Sequence, residues 1–347
     1  MCIRDSIIAA LLWWRSPARP EQDLPPDHVG PAIIAGWRYV SNSAPLRATL
    51  VRAAAFFAFA SAYWAMLPLI ARDLLSGGPT LYGLLLGAVG GGAVLGALVL
   101  PVVKSRLGPD RTVAAGTLGT ALVLAVFATV DNQTVAILVS ALAGMSWIAV
   151  LSSLHVSAQT ALPDWVRARG ISFFLAVFVG AMSAGSLIWG QVASSVGISA
   201  SLLAAAAGST LMVQLTWRAK LNQGEALDLA PSMHWPAPIV SDDYPADSGP
   251  VMIQVEYQVT AQDRCPFEAL MMELKAARQR GGGYFWSLMQ SAETPQRFVE
   301  TWFEASWTAH LRHHDRVSGE DRKLQKRVAM HLADGAKPVV RHYLTAK

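Results

Sequence analysis

Apolar residues along the chain fall into long, almost uncharged runs that are separated by short polar segments. A helix rises about 1.5 Å per residue, so a run of about 20 residues can cross the roughly 30 Å hydrocarbon core of a bilayer. We predict six membrane spans, at Leu46–Ile70, Leu81–Val103, Thr112–Val130, Thr134–Leu162, Gly170–Ala193 and Ser199–Trp217. The pattern therefore indicates an all-α membrane bundle of six helices over residues 46–220.

The second run, Tyr82–Val103, is rich in glycine at helical spacing. Its glycines recur at every fourth position in two neighbouring sets, which are Gly83, Gly87 and Gly91, and Gly92 and Gly96. Small residues at this spacing allow two helices to approach closely in lipid. We therefore predict a close helix contact along this face. An alternative is that the face also lets the helix slide or rock against its partner, as a gated transporter requires.

The composition fits membrane spans better than a soluble protein. Of all residues, 53% are hydrophobic and 15% are charged, whereas soluble proteins have about 25% charged residues. The formal net charge of +4 is spread over short loops, which argues against a nucleic-acid-binding patch. Cys2 and Cys265 are too few and too far apart for a disulfide framework.

The basic residues between the spans predict the topology. One set of loops holds Lys104, Arg106, Arg111, Arg167, Arg169, Arg218 and Lys220. The opposite loops contain Arg72 as their single base. Because basic loops are retained in the cytoplasm, we predict a multi-pass protein whose visible ends are both cytoplasmic.

The fourth span is the most polar, and we expect no Lys, Arg, Asp or Glu deep inside any span. Ser152, His155 and Gln159 share one helix face by their spacing, and Ser146 lies earlier in the same span. A polar face in lipid turns toward protein or a water-filled cavity, so these four residues are candidates to line a substrate pathway. The alternative, equally weighted, is that they only form hydrogen bonds to neighbouring helices. His155 is the one titratable group among them that could carry a proton.

The segments that flank the bundle differ from it in composition. We interpret residues 1–6 as non-native sequence. Residues 7–45 read as the end of a truncated span, a proline-rich cytoplasmic linker and an amphipathic surface helix at Val29–Val40. Residues 221–250 are predicted to be a proline-bearing acidic linker.

Residues 251–347 show the periodicities of a soluble α+β domain. Val251–Thr260 alternates as a half-buried strand does, and Phe267, Leu270 and Leu274 mark an amphipathic helix within Gln262–Arg280. The remaining predicted elements are strands Tyr284–Ala292 and Arg297–Ala305, a helical region Trp307–Leu332 and a last strand Val339–Leu344. This order, β-α-β-β-α-β, is the ferredoxin-like pattern.

His310 and His314 lie four residues apart on the predicted helical region, a spacing that can bind a metal. No third ligand is evident from the sequence, so a solvated helix face is the preferred interpretation. Trp302 is predicted to lie in the sheet core. We therefore predict no metal site, no cofactor and no catalytic residue.

Four segments carry a resemblance to a known family. They are AMLPLIARDLL at 65–75, YGLLLG at 82–87, PDWVRARG at 163–170 and RFVETWFE at 297–304. With these segments the chain resembles the carboxyl-terminal half of a major facilitator superfamily exporter, in the branch of enterobactin-exporter-like proteins and transmembrane secretion effectors. Residues 251–347 resemble a fused domain of the antibiotic-biosynthesis-monooxygenase type, a dimeric α/β barrel.

The resemblance implies further properties. The turn after the second span resembles the family's loop motif, which interlocks helix ends in one conformation, reduced here to Arg106, Gly108, Asp110 and Arg111. The implied fold needs an additional amino-terminal half of six helices, which is missing from the chain. The implied function is proton-driven efflux, by alternating access, of siderophore- or drug-like small molecules across the bacterial inner membrane. The implied partners are the bilayer, the missing half, the substrate and a second copy bound through the soluble domain.

Two other interpretations stay open. In the first interpretation, the protein is a membrane-anchored enzyme or binding module whose function lies in the monooxygenase-like domain. In the second interpretation, the six-helix unit is complete and works as a homodimer.

Overall fold

The computed structural model describes residues 12–14, 29–221, 227–236, 248–333 and 336–345. The expectations for residues 1–6 and for the proline-rich linker lie outside the described residues, and the truncated span lies mostly outside them.

Long apolar helices form the first part of the protein. After helix α1 (Val29–Asn42) come α2 (Ala44–Leu69), which continues as a π-helical turn over Ile70–Leu74, α3 (Pro79–Thr129), α4 (Gln133–Thr160), α5 (Asp164–Val196) and α6 (Ile198–Leu215). Among the described residues, five helices, α2 to α6, are long and apolar enough to cross a membrane. Helix α3 covers both the second and the third predicted spans.

Helix α3 is interrupted at Gly108, where φ is 74° and ψ is 170°. Glycine is the residue that adopts this conformation readily. Gly96 before the break and Gly119 after it both contact the short stretch of α4 around Met145 and Ser146. Because a straight helix would separate Gly96 from Gly119 by about 35 Å, the chain must reverse direction near Gly108.

The closest helix contact lies at the second set of glycines. A Cβ atom at Gly92 would meet the carbonyl oxygen of Ala141, and one at Gly144 would meet the carbonyl oxygen of Val89. The predicted close contact is therefore present between α3 and α4. It does not lie at Gly83, Gly87 and Gly91, which are exposed and have no described atom within 4 Å of a Cβ position.

Helix α2 lies at the centre of the bundle. Its Phe57 is fully buried, and its ring lies 4.4 Å from that of Phe178 on α5 and 5.4 Å from that of Trp147 on α4. Edge-to-face contacts of this kind are favourable for aromatic rings. They hold three helices together around one aromatic cluster.

The second part is a four-stranded sheet with helices. Its elements are β1 (Val251–Gln258), α7 (Arg264–Gly281), β2 (Tyr284–Gln290), β3 (Arg297–Glu304), α8 (Trp307–Arg316), α9 (Gly319–Ala329) and β4 (Val339–Leu344). The strands are ordered β2-β3-β1-β4, and every neighbouring pair is antiparallel. Ile253 and Tyr257 on one face of β1 pack in a core with Phe267 and Met271 of α7.

The pattern β-α-β-β-α-β counts the helical region Trp307–Leu332 as one helix. In the structure this region forms two helices, α8 and α9. Ser318 starts the second helix: its hydroxyl accepts a hydrogen bond from the amide of Asp321, whose carboxylate accepts one from the amide of Ser318. Such a capping box satisfies amide groups that have no partner at the start of a helix. The sequence Ser-Gly-Glu-Asp at 318–321 contains this signal.

Helix α1 connects the bundle to the sheet domain. The Tyr39 hydroxyl donates to the carbonyl of Ala161, which follows α4, and Arg38 Nη1 donates to the carbonyl of Gly282 over 2.8 Å. Its Ile33 and Trp37 side chains remain exposed. The helix thus contacts both parts of the protein while it keeps an apolar surface, as a helix at a membrane surface does.

The glycine contact generates a first prediction. We expect Gly92→Ala to lower the free energy of unfolding by about 1–3 kcal/mol, because the new Cβ overpacks against the backbone of α4. Thermal unfolding of the purified protein in detergent measures this.

Gly87→Ala is the matched control, since its Cβ would meet no described atom. We expect it to be neutral or slightly stabilising, because alanine favours the helix over glycine. An equal loss in both variants would contradict the contact.

Candidate functional site

A buried ion pair joins three segments at one end of the bundle. Arg52 of α2 is only 4% exposed, and its Nη1 lies 2.7 Å from Asp110 Oδ1, just after the break in α3. The same Oδ1 accepts a hydrogen bond from the amide of Leu221, and Arg52 Nε donates to the carbonyl of Thr216 at the end of α6. The turn of α3 is therefore tied to α2 and to the segment that follows α6.

Sequence reasoning missed Arg52. We expected no charged residue deep inside a span, but Arg52 lies within the predicted span Leu46–Ile70 and is buried. Arg106 and Arg111 are both exposed, and Arg52 pairs with the aspartate of the turn instead. An arginine one turn or more inside an apolar run is the signal that could have identified it, since such a residue needs a counter-charge.

The four pathway candidates on α4 do not share one environment. Ser146 is buried against Gly119 of α3, whereas Ser152 and His155 are half-buried and Gln159 is exposed. The His155 ring makes an edge contact with Phe174 of α5 at 5.6 Å. Their role in a substrate pathway stays a prediction.

A different face of α4 forms a hydrogen bond to α2. The Ser157 hydroxyl lies 2.9 Å from that of Thr49 on α2, and both side chains are buried. The face of Ser152, His155 and Gln159 is thus left turned away from the centre of the bundle.

The sheet domain contains a cavity of about 500 Å³ between the sheet and its helices. Apolar residues, two tryptophans and several polar side chains line it, among them Trp235, Ile253, Tyr257, Leu274, Arg278, Trp302, His310, His314 and His342. Trp302 is 2% exposed, so it belongs to the sheet core as predicted and also forms part of the cavity wall. Cavities of this size and character bind small molecules.

Part of the predicted linker 221–250 closes this cavity. The Trp235 indole Nε1 donates to Gln325 Oε1 of α9 over 3.0 Å, and the amide of Ser232 donates to the carbonyl of Val317. Residues 227–236 are therefore packed on the domain rather than serving only as a tether.

Three histidines meet at the cavity. His310 and His314 lie one turn apart on α8, and their Nε2 atoms are 3.1 Å apart. His342 of β4 supplies the third imidazole, and the ligand atoms of all three lie within 4.8 Å of one another. Among the described residues this is the one such group of His, Cys, Asp or Glu side chains. The sequence pair lacked a third ligand because His342 comes from the last strand, which only the sheet brings next to α8.

The buried carboxylate of Glu304 holds two of the α8 histidines. It lies 3.1 Å from His310 Nδ1 and 2.6 Å from His313 Nδ1, and it accepts a hydrogen bond from Trp302 Nε1 over 2.9 Å. Burial alone would raise the pKa of this carboxyl, but His313 and His310 hold it well below its usual range. The ionised carboxylate therefore accepts the Nδ1–H of His310, which leaves Nε2 of that ring facing the cavity.

The other two imidazoles at the cavity are neutral near pH 7. Burial, with a smaller contribution from the neighbouring His310, lowers the pKa of His314 to about 3 and that of His342 to about 4. A neutral imidazole has a free nitrogen lone pair, which is the form that accepts a proton or binds a metal.

A second buried network neutralises the cation in the cavity wall. Arg278 Nε donates to Glu300 over 3.1 Å, and the Tyr257 hydroxyl donates to the same carboxylate over 2.8 Å. The Arg278 guanidinium also lies 4.4 Å from the ring centre of Trp302. The wall at this point is therefore rigid and aromatic.

Long apolar helices, the exposed apolar surface around them and a buried ion pair at one end define a multi-pass membrane protein. The chain belongs to the transmembrane secretion effector family, whose family model matches residues 3–347. This family consists of membrane transporters of the major facilitator type, which favours transport over catalysis. Among curated proteins, none matches the chain.

The ion pair generates a second prediction. Asp110→Asn leaves Arg52 buried without its counter-charge, which destabilises a protein strongly. Because Asp110 is a quarter exposed, we expect the free energy of unfolding to fall by about 3 kcal/mol, the lower end of the range for buried pairs. A lower thermal unfolding midpoint measures this loss.

Asp73→Asn is the matched control. It breaks the pair of Arg72 and Asp73, whose side chains are 71% and 40% exposed, so we expect little change in the midpoint. If the two variants unfolded at the same temperature, the pair of Arg52 and Asp110 would have no structural role.

Proposed function

We propose that the protein is an exporter of small amphipathic molecules, siderophore- or drug-like, driven by protons and working by alternating access in the bacterial inner membrane. The ion pair of Arg52 and Asp110 carries this proposal. Asp110 lies in the turn that resembles the family's loop motif, and the pair joins this turn to α2. Hydrogen bonds from Arg52 to Thr216 and from Leu221 to Asp110 connect it to the end of α6. A contact of this kind can be formed in one arrangement of the helices and broken in another, and it then distinguishes the two states of a transporter.

The reversal at Gly108 supports six membrane crossings, since each arm of α3 then crosses once. The pair of Arg52 and Asp110 and the hydrogen bond from Tyr39 to Ala161 lie at the same end of the bundle as the sheet domain. Basic residues concentrate in the turns of this end, as cytoplasmic loops require. We therefore assign this end of the bundle, and with it both visible ends of the chain, to the cytoplasm.

The substrate pathway in this proposal needs a second bundle of six helices. The face of Ser152, His155 and Gln159 supports this, because it is polar and turned away from the centre of the described bundle. The glycine face of Gly83 and Gly87 has no described neighbour, so a second bundle can approach it closely. The two faces would form half of a pathway and half of a moving interface.

We assign the sheet domain to the ferredoxin-like class and propose that it dimerises. Its strand order and antiparallel pairing fit that class. The face of the sheet away from the helices exposes Phe285, which is 79% exposed, together with Met289 and Tyr343. Apolar side chains grouped in this way on one surface are typical of an interface.

The third prediction tests export. Expressed in a strain that lacks its own multidrug exporters, the protein should lower accumulation of a fluorescent amphipathic dye, and a protonophore should abolish this effect. His155→Ala and Gln159→Leu should each reduce the export rate about two- to twelvefold, because each loses one hydrogen bond of about 0.5–1.5 kcal/mol.

Thr129→Val is the control for these variants. Its hydroxyl is exposed and bonds only within its own helix, to the carbonyl of Ala125, so export should be unchanged. Dye accumulation that is the same with and without the protein would contradict export of such molecules. Normal export by both pathway variants would remove their assigned role.

The cavity in the sheet domain favours a second candidate function, a small-molecule-binding module or a monooxygenase-like enzyme. Incubation of the full chain in detergent with phenolic or quinone-like substrates distinguishes the enzyme from the binding module. Oxygen consumption would support the enzyme. Quenching of the fluorescence of Trp235 and Trp302 without oxygen consumption would support a binding module.

A further inference from the structure

We propose that His310, His314 and His342 form a site for a divalent transition metal, best suited to Zn²⁺, with an open coordination position toward the cavity. This inference does not depend on the transport function. It rests on the three imidazoles, the carboxylate behind them and the cavity in front of them.

The spacing of the nitrogens fits a metal. Zinc binds imidazole nitrogen at about 2.0–2.1 Å in tetrahedral geometry, which places two ligand nitrogens about 3.4 Å apart. The Nε2 atoms of His310 and His314 are already 3.1 Å apart, and no ligand atom of the three is more than 4.8 Å from another. Metal binding therefore requires ligand nitrogens to approach one another by at most about 1.4 Å.

The elements that carry the histidines also suit a metal site. Two of them are four residues apart on a helix, so they project from one face, and the third comes from a neighbouring strand. A helix and a strand that belong to one core hold three ligands with little freedom, as a site of defined geometry requires.

Glu304 has the position of a second-shell group. Ligand histidines usually donate their other ring N–H to a carboxylate, which sets the tautomer and orients the ring. The carboxylate of Glu304 is buried and accepts from His310 Nδ1, so His310 Nε2 is left as the ligand atom. This carboxylate also places negative charge behind a site that would bind a cation.

A hydrogen-bonded cluster without metal explains the same contacts less completely. The Nε2 atoms of His310 and His314 can share one N–H···N hydrogen bond, whereas the third ring adds another nitrogen to the same space. A metal satisfies three lone pairs at once. Three protein ligands leave one position open, which is the arrangement of zinc sites that bind a water or a ligand oxygen.

The fourth prediction tests the site. The full chain in detergent, freed of metal with a chelator, is titrated with Co²⁺, whose visible absorption reports tetrahedral nitrogen coordination. We expect one equivalent to bind with this absorption and Zn²⁺ to displace it. Glu304→Gln should weaken Co²⁺ affinity about 10- to 100-fold, as the loss of a second-shell carboxylate does.

His342→Gln should abolish the tetrahedral absorption, and His331→Ala should leave it unchanged. His331 is the matched control because it lies in the same domain and pairs with Asp263 instead. His342 is half-buried on the last strand, so its replacement is expected to leave the domain folded, which the thermal midpoint checks. The proposal is overturned if Co²⁺ gives no tetrahedral absorption, or if His342→Gln and His331→Ala bind it equally well.

Discussion

A charge enclosed by apolar helices must have a partner, and the arrangement of the bundle at one end follows from this constraint. Arg52 is buried on α2, and Asp110 reaches it only because α3 turns back at Gly108. This reversal needs glycine at position 108, since the backbone angles there are unfavourable for other residues. One ion pair and one glycine therefore determine where the two arms of α3 lie and where the chain leaves α6.

The sequence was sufficient for the parts of the bundle that depend on composition and periodicity. Long apolar runs predicted membrane helices, and the glycine spacing predicted a close contact within the right helix. The sequence could not show whether the face of Gly83 or that of Gly92 makes the contact, because both have the same spacing. Only the position of α4 in the structure distinguishes the two faces. Arg52 was missed for a similar reason, since its counter-charge lies in a turn remote in sequence.

In the sheet domain, alternation and helical periodicity predicted the strands and the first helix closely. The last strand, Val339–Leu344, has the predicted bounds. The cluster at the cavity was not predictable in the same way. His310 and His314 are neighbours through the helix, whereas His342 joins them only because β4 pairs with β1 at the edge of the sheet. Local patterns identify pairs of ligands, and tertiary structure alone supplies the third.

Helix α8 links the cavity to the bundle. Its His310 and His314 face the cavity, while Arg316, the last residue of the helix, lies 4.3 Å from the ring centre of Trp165, at the start of α5. A ligand at the cavity that shifts this short helix would therefore act on the segment between α4 and α5. Coupling between two sites requires an element with two arrangements that both sites favour differently. With contacts to both the cavity and the bundle, α8 is one described element placed to have that role.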